Sequence, residues 1–256
     1  MTFGDLRRRL EAGEVMPLGW VSSPEPINGV VLAKAGFEVV CADMQHAPIG
    51  SETMAEICSS VIAAGAAAIV RPPLFNAGAI GSALDAGAEA VIAPMINTAE
   101  DAEWFVKWSK FPPVGERSWG PAGVVRNHGL TLPEYLEIGN RSVSSIAMIE
   151  TREAMDNMTA ILGNPHIDGI FVGPNDLCVS LTGGEAVDPG TQIAMDAATE
   201  IAKAVRDAGK FAGIFAVREE LALAYKEMGY QLIVPGNDIM LLDRGAKAAL
   251  SSLKGG

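Results

Sequence analysis

The hydrophobic positions of this chain fall into short, nearly continuous apolar runs separated by longer stretches with helical spacing. Eight runs read as strands: LGWVSS (18–23), EVVCADM (38–44), AAIVRPP (67–73), AVIAPM (90–95), SIAMIE (145–150), DGIFVGP (168–174), FAGIFA (211–216) and LIVPGND (232–238). None alternates apolar with polar residues, which predicts a sheet covered on both faces. The intervening patterns PINGVVLAKAG, SETMAEICSSVIAAG and AIGSALDAG each end in glycine, the residue that most easily takes the left-handed turn after a helix. TAEDAEWFVKWSKF opens on a capping box, Thr98 with Asp101 three residues on. DPGTQIAMDAATEIAKAVRDAG, REELALAYKEMG and DIMLLDRGAKAALSSL supply further helices. Strand–helix alternation repeated eight times predicts an α/β fold, a (β/α)8 barrel filling residues 1–256 as a single domain. A doubly wound sheet is the alternative, weakened because no GxGxxG follows the first strand.

One connection breaks the rhythm. Residues 111–143 are rich in proline and glycine, with a short helix inside, and they follow the fourth strand. A loop of this length in a compact domain is usually functional, and it is expected to lie over the active face.

Composition narrows the classes. The 49% hydrophobic content and mean hydropathy of +0.23 fit a large buried core. A net charge of −12 argues against a nucleic-acid or anionic-membrane partner. Three scattered cysteines form no metal or disulfide spacing and suit a reducing compartment. The N-terminus, MTFGDLRRRLEAGEV, lacks an apolar signal core, so a cytoplasmic protein is expected. Its RRR run reads as a solvated helix face.

In such barrels chemistry gathers at the C-terminal ends of the strands. Asp43, Gln45 and His46 follow the second strand, Arg71 ends the third, and Glu150 ends the fifth. Asn175 and Asp176 follow the sixth; Asn237 and Asp238 follow the eighth. Glu150 and Asp176, from adjacent strands, suit a hard divalent ion completed by water and substrate. Each acid also has a plainer reading as a helix N-cap. Arg71, fixed by the two prolines after it, reads as an anion or oxyanion partner. His46 reads either as a strand-end core histidine or as a base. His128, in the long loop, and His166, in a turn, are expected in solvent. No lysine stands at a strand end; Lys34, Lys107, Lys203 and Lys226 all sit in helical patterns.

DMQHAP, VRPP, LDAGAEAVIAPM, FPPVGERSWGP, IETREAMDN and GIFVGPNDL occur in this order over residues 43–177. With these motifs the chain resembles the class II, metal-dependent pyruvate aldolases, which include 4-hydroxy-2-oxoheptanedioate and 2-dehydro-3-deoxyglucarate aldolases. The resemblance implies a TIM barrel of the phosphoenolpyruvate/pyruvate type, its last helix exchanged with a neighbour in a homohexamer, a trimer of dimers. It implies Glu150 and Asp176 as metal ligands for Mg2+, Mn2+ or Co2+, His46 as catalytic base and Arg71 as transition-state stabiliser. Asp85, in ALDAG, matches an acid that raises the basicity of that histidine. Asn175 matches a substrate-contacting position, and the backbone from Gly173 to Asp176 would hold the substrate carboxylate. Asp85, however, falls at the end of a helix, near the bottom of the barrel. It either acts across a subunit contact or is structural, and Asp43 is the local alternative partner for His46.

Two departures bear on specificity. Met148 stands where relatives carry a substrate-binding Gln, on the same strand face as Glu150. Gln45 stands where some carry Glu. The implied reaction is reversible cleavage of a 4-hydroxy-2-oxo acid to pyruvate, or a hydroxypyruvate-like 2-oxo acid, and an aldehyde. Aldehyde recognition is expected from the long loop and neighbouring subunits, through Arg117, Trp119 or Arg126. An oxaloacetate decarboxylase, an acyl-CoA lyase or a non-catalytic binding protein are the competing readings.

Overall fold

The structure, a computed structural model, describes residues 1–254. The chain runs α1 (Asp5–Glu11), β1 (Met16–Val21), α2 (Pro26–Ala35), β2 (Val39–Asp43), α3 (Ser51–Ala63), β3 (Ala67–Arg71), α4 (Ala77–Asp85), β4 (Ala90–Ala93) and α5 (Ala99–Ser109). It continues through α6 (Ala122–His128), α7 (Leu132–Ser142), β5 (Ser144–Ile149), α8 (Arg152–Asp156), α9 (Met158–Leu162), β6 (Gly169–Val172) and α10 (Pro174–Leu181). It ends with α11 (Gln192–Asp207), β7 (Phe211–Phe215), α12 (Glu219–Met228), β8 (Leu232–Val234) and α13 (Asp238–Lys254). The strands close into one parallel barrel in sequence order, β8 pairing back to β1. All eight strands lie where the apolar runs predict them, and the Thr98 capping box opens α5.

Closure divides the strand residues between two cores. One set points outward to the helices, as Val40, Ala42, Val70 and Ile149 do. The other fills the barrel: Leu18 and Trp20 from β1, Val39 and Cys41 from β2, Ile69 from β3, Met148 from β5 and Phe171 from β6. Helix α1 plugs the floor, because its Leu6 and Leu10 join this interior set. Each such buried leucine contributes roughly 1.5–3 kcal/mol. Of the RRR run of α1, expected as a solvated face, Arg8 is exposed as expected, whereas Arg7 pairs with Asp168 at 2.8 Å and Arg9 with Glu38 at 2.8 Å. Among the described residues no helix is long and apolar enough to cross a membrane.

The segment 111–143, expected over the active face, closes the opposite end. It follows α5 rather than β4, and a helix has by then returned the chain to the N-terminal ends of the strands. Asn127 donates to the Ala86 carbonyl at 2.9 Å, and a ring nitrogen of His128 lies 2.8 Å from the Gly87 carbonyl. Phe3 packs against both His128 and Tyr135. His128 is therefore half-buried rather than in solvent, whereas His166 is exposed as expected. Two helices, α6 and α7, order the segment; α7 begins at a capping box between Thr131 and Glu134.

The floor carries buried charge. Lys110 donates to Asp168 at 3.1 Å and both are buried. Glu89 accepts from the Gly4 backbone at 2.8 Å, tying the N-terminal segment to β4, while its Oε1 is buried without a partner. Burial pushes the Glu89 carboxyl up to about 7. The folded state thus favours its neutral form, a contribution fully present below the ordinary glutamate range and lost as pH rises through about 7. Glu89→Gln is expected to raise stability at pH 8 by on the order of 1–3 kcal/mol and to change it little at pH 4. Urea unfolding at both pH values checks this; equal effects at the two pH values would contradict it.

Candidate active site

The inward alternation that fills the barrel also delivers the site. On β2 the inward positions are Val39, Cys41 and then Asp43; on β3 they are Ala67, Ile69 and then Arg71. Asp43 and Arg71 are paired neighbours in the register and meet at the mouth. Arg71 donates from Nε to Asp43 Oδ1 at 2.8 Å and from Nη2 to Oδ2 at 2.6 Å, a bidentate fork between buried groups. Trp20 Nε1 donates to Asp43 Oδ2 at 3.3 Å, and its ring lies 4.9 Å from the guanidinium carbon. Burial opposes the charge on Asp43, but the Arg71 fork and the backbone N–H groups of His46 and Gln45 outweigh it and hold its carboxyl below the ordinary range. This geometry leaves Nη1 of Arg71 as the arm without a hard acceptor; its recorded neighbour is Met148 Sδ at 4.0 Å.

Glu150 follows the inward series Ser144, Ile146, Met148 of β5. It is 2% exposed. It is not a helix cap, because Thr151 takes that role by accepting from Ala154 N. Glu150 Oε1 accepts from the Met95 backbone at 2.8 Å. Met95 holds that N–H in place with φ of 56°, a left-handed conformation costing about 1 kcal/mol or more for a residue with a side chain. Beside Glu150 on the neighbouring strand end stands Gly173, where a Cβ would lie 2.5 Å from Glu150 Oε2 and 2.7 Å from Met148 Cε. Only glycine leaves room for both side chains there.

Burial pushes the Glu150 carboxyl up to about 7, with Asp176 adding repulsion and Met95 N–H and Arg71 pulling the other way. Asp176 lies in the first turn of α10, exposed, and makes no cap bond with Gly173. Glu150 has no salt-bridge partner among the described residues and has a second carboxylate nearby, and a divalent cation held by the two acids would supply the missing counter-charge. Among the described residues no group of three His, Cys, Asp or Glu could hold a metal by protein atoms alone. Two carboxylates with the remaining positions left to water and substrate fit a hard ion such as Mg2+ or Mn2+. Pro174 has no N–H, so the first free donors of α10 come from Asn175 and Asp176. The Asn175 side chain is turned away, donating to the Val187 carbonyl at 3.0 Å.

His46 stands on the same rim, exposed, and its ring has no hydrogen-bond partner among the described residues. Asp43 reaches only its backbone, at 3.4 Å. Asp85 is at the C-terminal end of α4, on the floor, paired with Arg117. Asn237 and Asp238 serve as latches: Asn237 Oδ1 accepts from Met240 N, and Asp238 accepts from Ser22, Ser23 and Asn28, fixing α13 to the β1–α2 turn. One residue escapes a sequence reading: Trp20 reads as ordinary core because its strand is apolar throughout. Gln45, singled out in the sequence, has its Oε1 buried without a partner beside the site.

A parallel barrel with an Arg–Asp pair and two carboxylates at its C-terminal mouth is the frame of a carboxylate-handling lyase. The chain belongs to the HpcH/HpaI aldolase/citrate lyase family, whose pattern matches residues 18–244. It is 34% identical over 240 residues to the 4-hydroxy-2-oxo-heptane-1,7-dioate aldolase of Salmonella typhimurium, covering 93% of this chain and 90% of that protein. An HpcH/HpaI aldolase/citrate lyase family protein from Burkholderia cenocepacia J2315 superposes with a TM-score of 0.89 at 32% identity, covering 98% of this chain and 99% of that one. The citrate synthase SbnG superposes with a TM-score of 0.85 at 28% identity, covering 97% of each chain.

The Asp43–Arg71 pair sets a first test of this geometry. Asp43→Ala leaves a buried guanidinium unpaired and is expected to cost about 3–5 kcal/mol. The denaturant midpoint measures it, and a loss below about 1 kcal/mol would mean the pair is not buried as described.

Proposed function

We propose that this protein is a divalent-metal-dependent aldolase, a carbon–carbon lyase that reversibly cleaves a 4-hydroxy-2-oxo acid to pyruvate and an aldehyde. The observation that carries the reading is the buried, under-neutralised Glu150 facing Asp176 beside the free Nη1 arm of Arg71. Family membership and the relative's aldolase activity support it.

Glu150 and Asp176 would hold the cation, which when bound supplies Lewis-acid polarisation of the 2-oxo group and its carboxylate. Arg71 Nη1 adds a fixed N–H where negative charge grows on the C2 oxygen, held by Asp43 and Trp20 so that it does not reorganise. The N–H groups of Asn175 and Asp176 receive the substrate carboxylate at the start of α10. Cleavage breaks C3–C4, leaving the electron pair on C3 as the enolate. The proton of the 4-hydroxyl passes to His46, directly or through a water, and C4 leaves as the aldehyde. Protonation of C3 then gives pyruvate. Met148 lines this pocket with a thioether, so the pocket offers no side-chain hydrogen bond at that point.

His46 needs an acid to orient it, and Asp43 is fully engaged elsewhere. Asp85 of a second copy fills that role in our reading, since Asp85 and His46 of one chain sit at opposite ends of the barrel. An oligomer is therefore part of the proposal. The exposed Ile239, Leu242, Leu250 and Leu253 of α13 support exchange of that helix with a neighbour in a hexamer.

Arg71→Ala is expected to lower kcat for pyruvate release by roughly 10²–10³ with the fold retained. His46→Ala is expected to abolish cleavage while keeping metal binding. Lys110 and Lys210, the lysines nearest strand ends, lie on the floor. Borohydride with pyruvate should therefore leave the protein active, and chelation should not; inactivation and labelling by borohydride would overturn the metal mechanism.

A further inference from the structure

Arg117 was expected to read the aldehyde, yet it is 4% exposed, and both terminal nitrogens are engaged while Nε is buried without a partner. Its Nη2 donates to Asp85 Oδ1 at 2.5 Å and its Nη1 to the Tyr135 hydroxyl at 2.9 Å. The guanidinium lies 4.4 Å from the Phe111 ring centroid and 6.0 Å from that of Tyr135. Trp119 packs over both rings from outside, at 5.0 and 5.7 Å. The ordered segment between α5 and β5 thus builds an aromatic box around one arginine, and the arginine grips one carboxylate.

That carboxylate is not buried with it. The Asp85 side chain is 31% exposed while that of Arg117 is 2% exposed. Asp85 borders an open cavity of about 280 Å3 together with Gly78, Ser82 and Trp108. Gly120 lies close against its second oxygen, where a Cβ would come within 2.5 Å of Asp85 Oδ2 and displace the carboxylate. Here the cation is enclosed, and the anion it grips stays partly exposed at the cavity.

We propose that Arg117 is a positioning residue for the aldol step: boxed by Phe111 and Tyr135, it holds Asp85 in the single orientation in which its free oxygen meets His46 of a second copy. The inference rests on the reading above that Asp85 and His46 act together across copies. It adds the device that makes a half-exposed carboxylate on a loop-covered floor rigid. Partial burial raises the Asp85 carboxyl, and Arg117 opposes that rise. A carboxylate in this state accepts the histidine N–H and favours the protonated imidazole that forms when the 4-hydroxyl gives up its proton.

Oxaloacetate decarboxylation separates this role from a structural one. It breaks C3–C4 to release CO2 and leaves the pair on the same enolate, but no aldehyde oxygen exchanges a proton. We expect Arg117→Met to lower the ratio of aldol cleavage to decarboxylation by about tenfold or more, through kcat, with KM for the 2-oxo acid unchanged. We also expect the Arg117→Met/Asp85→Asn double variant to cleave no more slowly than Asp85→Asn alone. An unchanged ratio, or additive losses in the double variant, would overturn the proposal. If Arg117→Met does not fold, Arg117→Lys replaces it: an ammonium cannot fork to Tyr135 and Asp85 together, so a fall in the same ratio supports the proposal and a constant ratio overturns it. Wild-type protein without chelator-sensitive cleavage would instead overturn the aldolase reading on which this rests.

Discussion

Closure of eight parallel strands into a ring is the constraint on which everything else depends. Once β8 pairs with β1, every second side chain points at a single axis. Lower down the axis must be filled, and Leu18, Ile69, Phe171 and the α1 leucines fill it. At the top the same alternation continues one step beyond the apolar run. There it places Asp43, Arg71 and Glu150 together, three charges that no flexible loop would hold in register. The site is the last layer of the core, made polar.

Charge in that layer is balanced unevenly, and the imbalance is informative. Asp43 and Arg71 neutralise each other, backed by Trp20, and so form a rigid donor rather than a source of catalysis by themselves. Glu150 is buried without an ion-pair partner among the described residues, and burial, with a second carboxylate nearby, raises its proton affinity against the one backbone hydrogen bond it accepts. A satisfied pair beside an unsatisfied acid is the arrangement expected where a cation and an anionic substrate complete the electrostatics. The floor uses the same currency differently. Lys110 and Asp168 are paired, Glu89 is held to the N-terminal segment, and Arg117 presents Asp85 outward.

Most of the barrel was legible in the sequence because buried parallel strands write continuous apolar runs and glycine marks the helix ends. Glu150 and Asp176 stood out in the sequence because each is an acid just beyond an apolar run. What stayed hidden depended on contacts that sequence spacing does not record. The 111–143 segment follows the fourth strand in sequence, which points to the active face, but α5 turns the chain back to the opposite one. Trp20 carries no mark that separates it from core. Whether Glu150 or Thr151 capped α8 needed coordinates, since both precede the helix. The pairing of Asp43 with Arg71 rather than with the His46 ring is likewise geometric, and it is what turns Asp85 from an odd floor residue into the candidate partner of a neighbouring histidine.

The central claim is that Glu150 and Asp176 hold a divalent cation at which an enolate is stabilised. Electron paramagnetic resonance titration with Mn2+, with and without oxalate as a planar mimic of the pyruvate enolate, tests it directly. The account predicts a single Mn2+ site per chain, tightened by oxalate and lost in Glu150→Gln. Mn2+ binding that is absent, or that Glu150→Gln leaves unchanged, would contradict it.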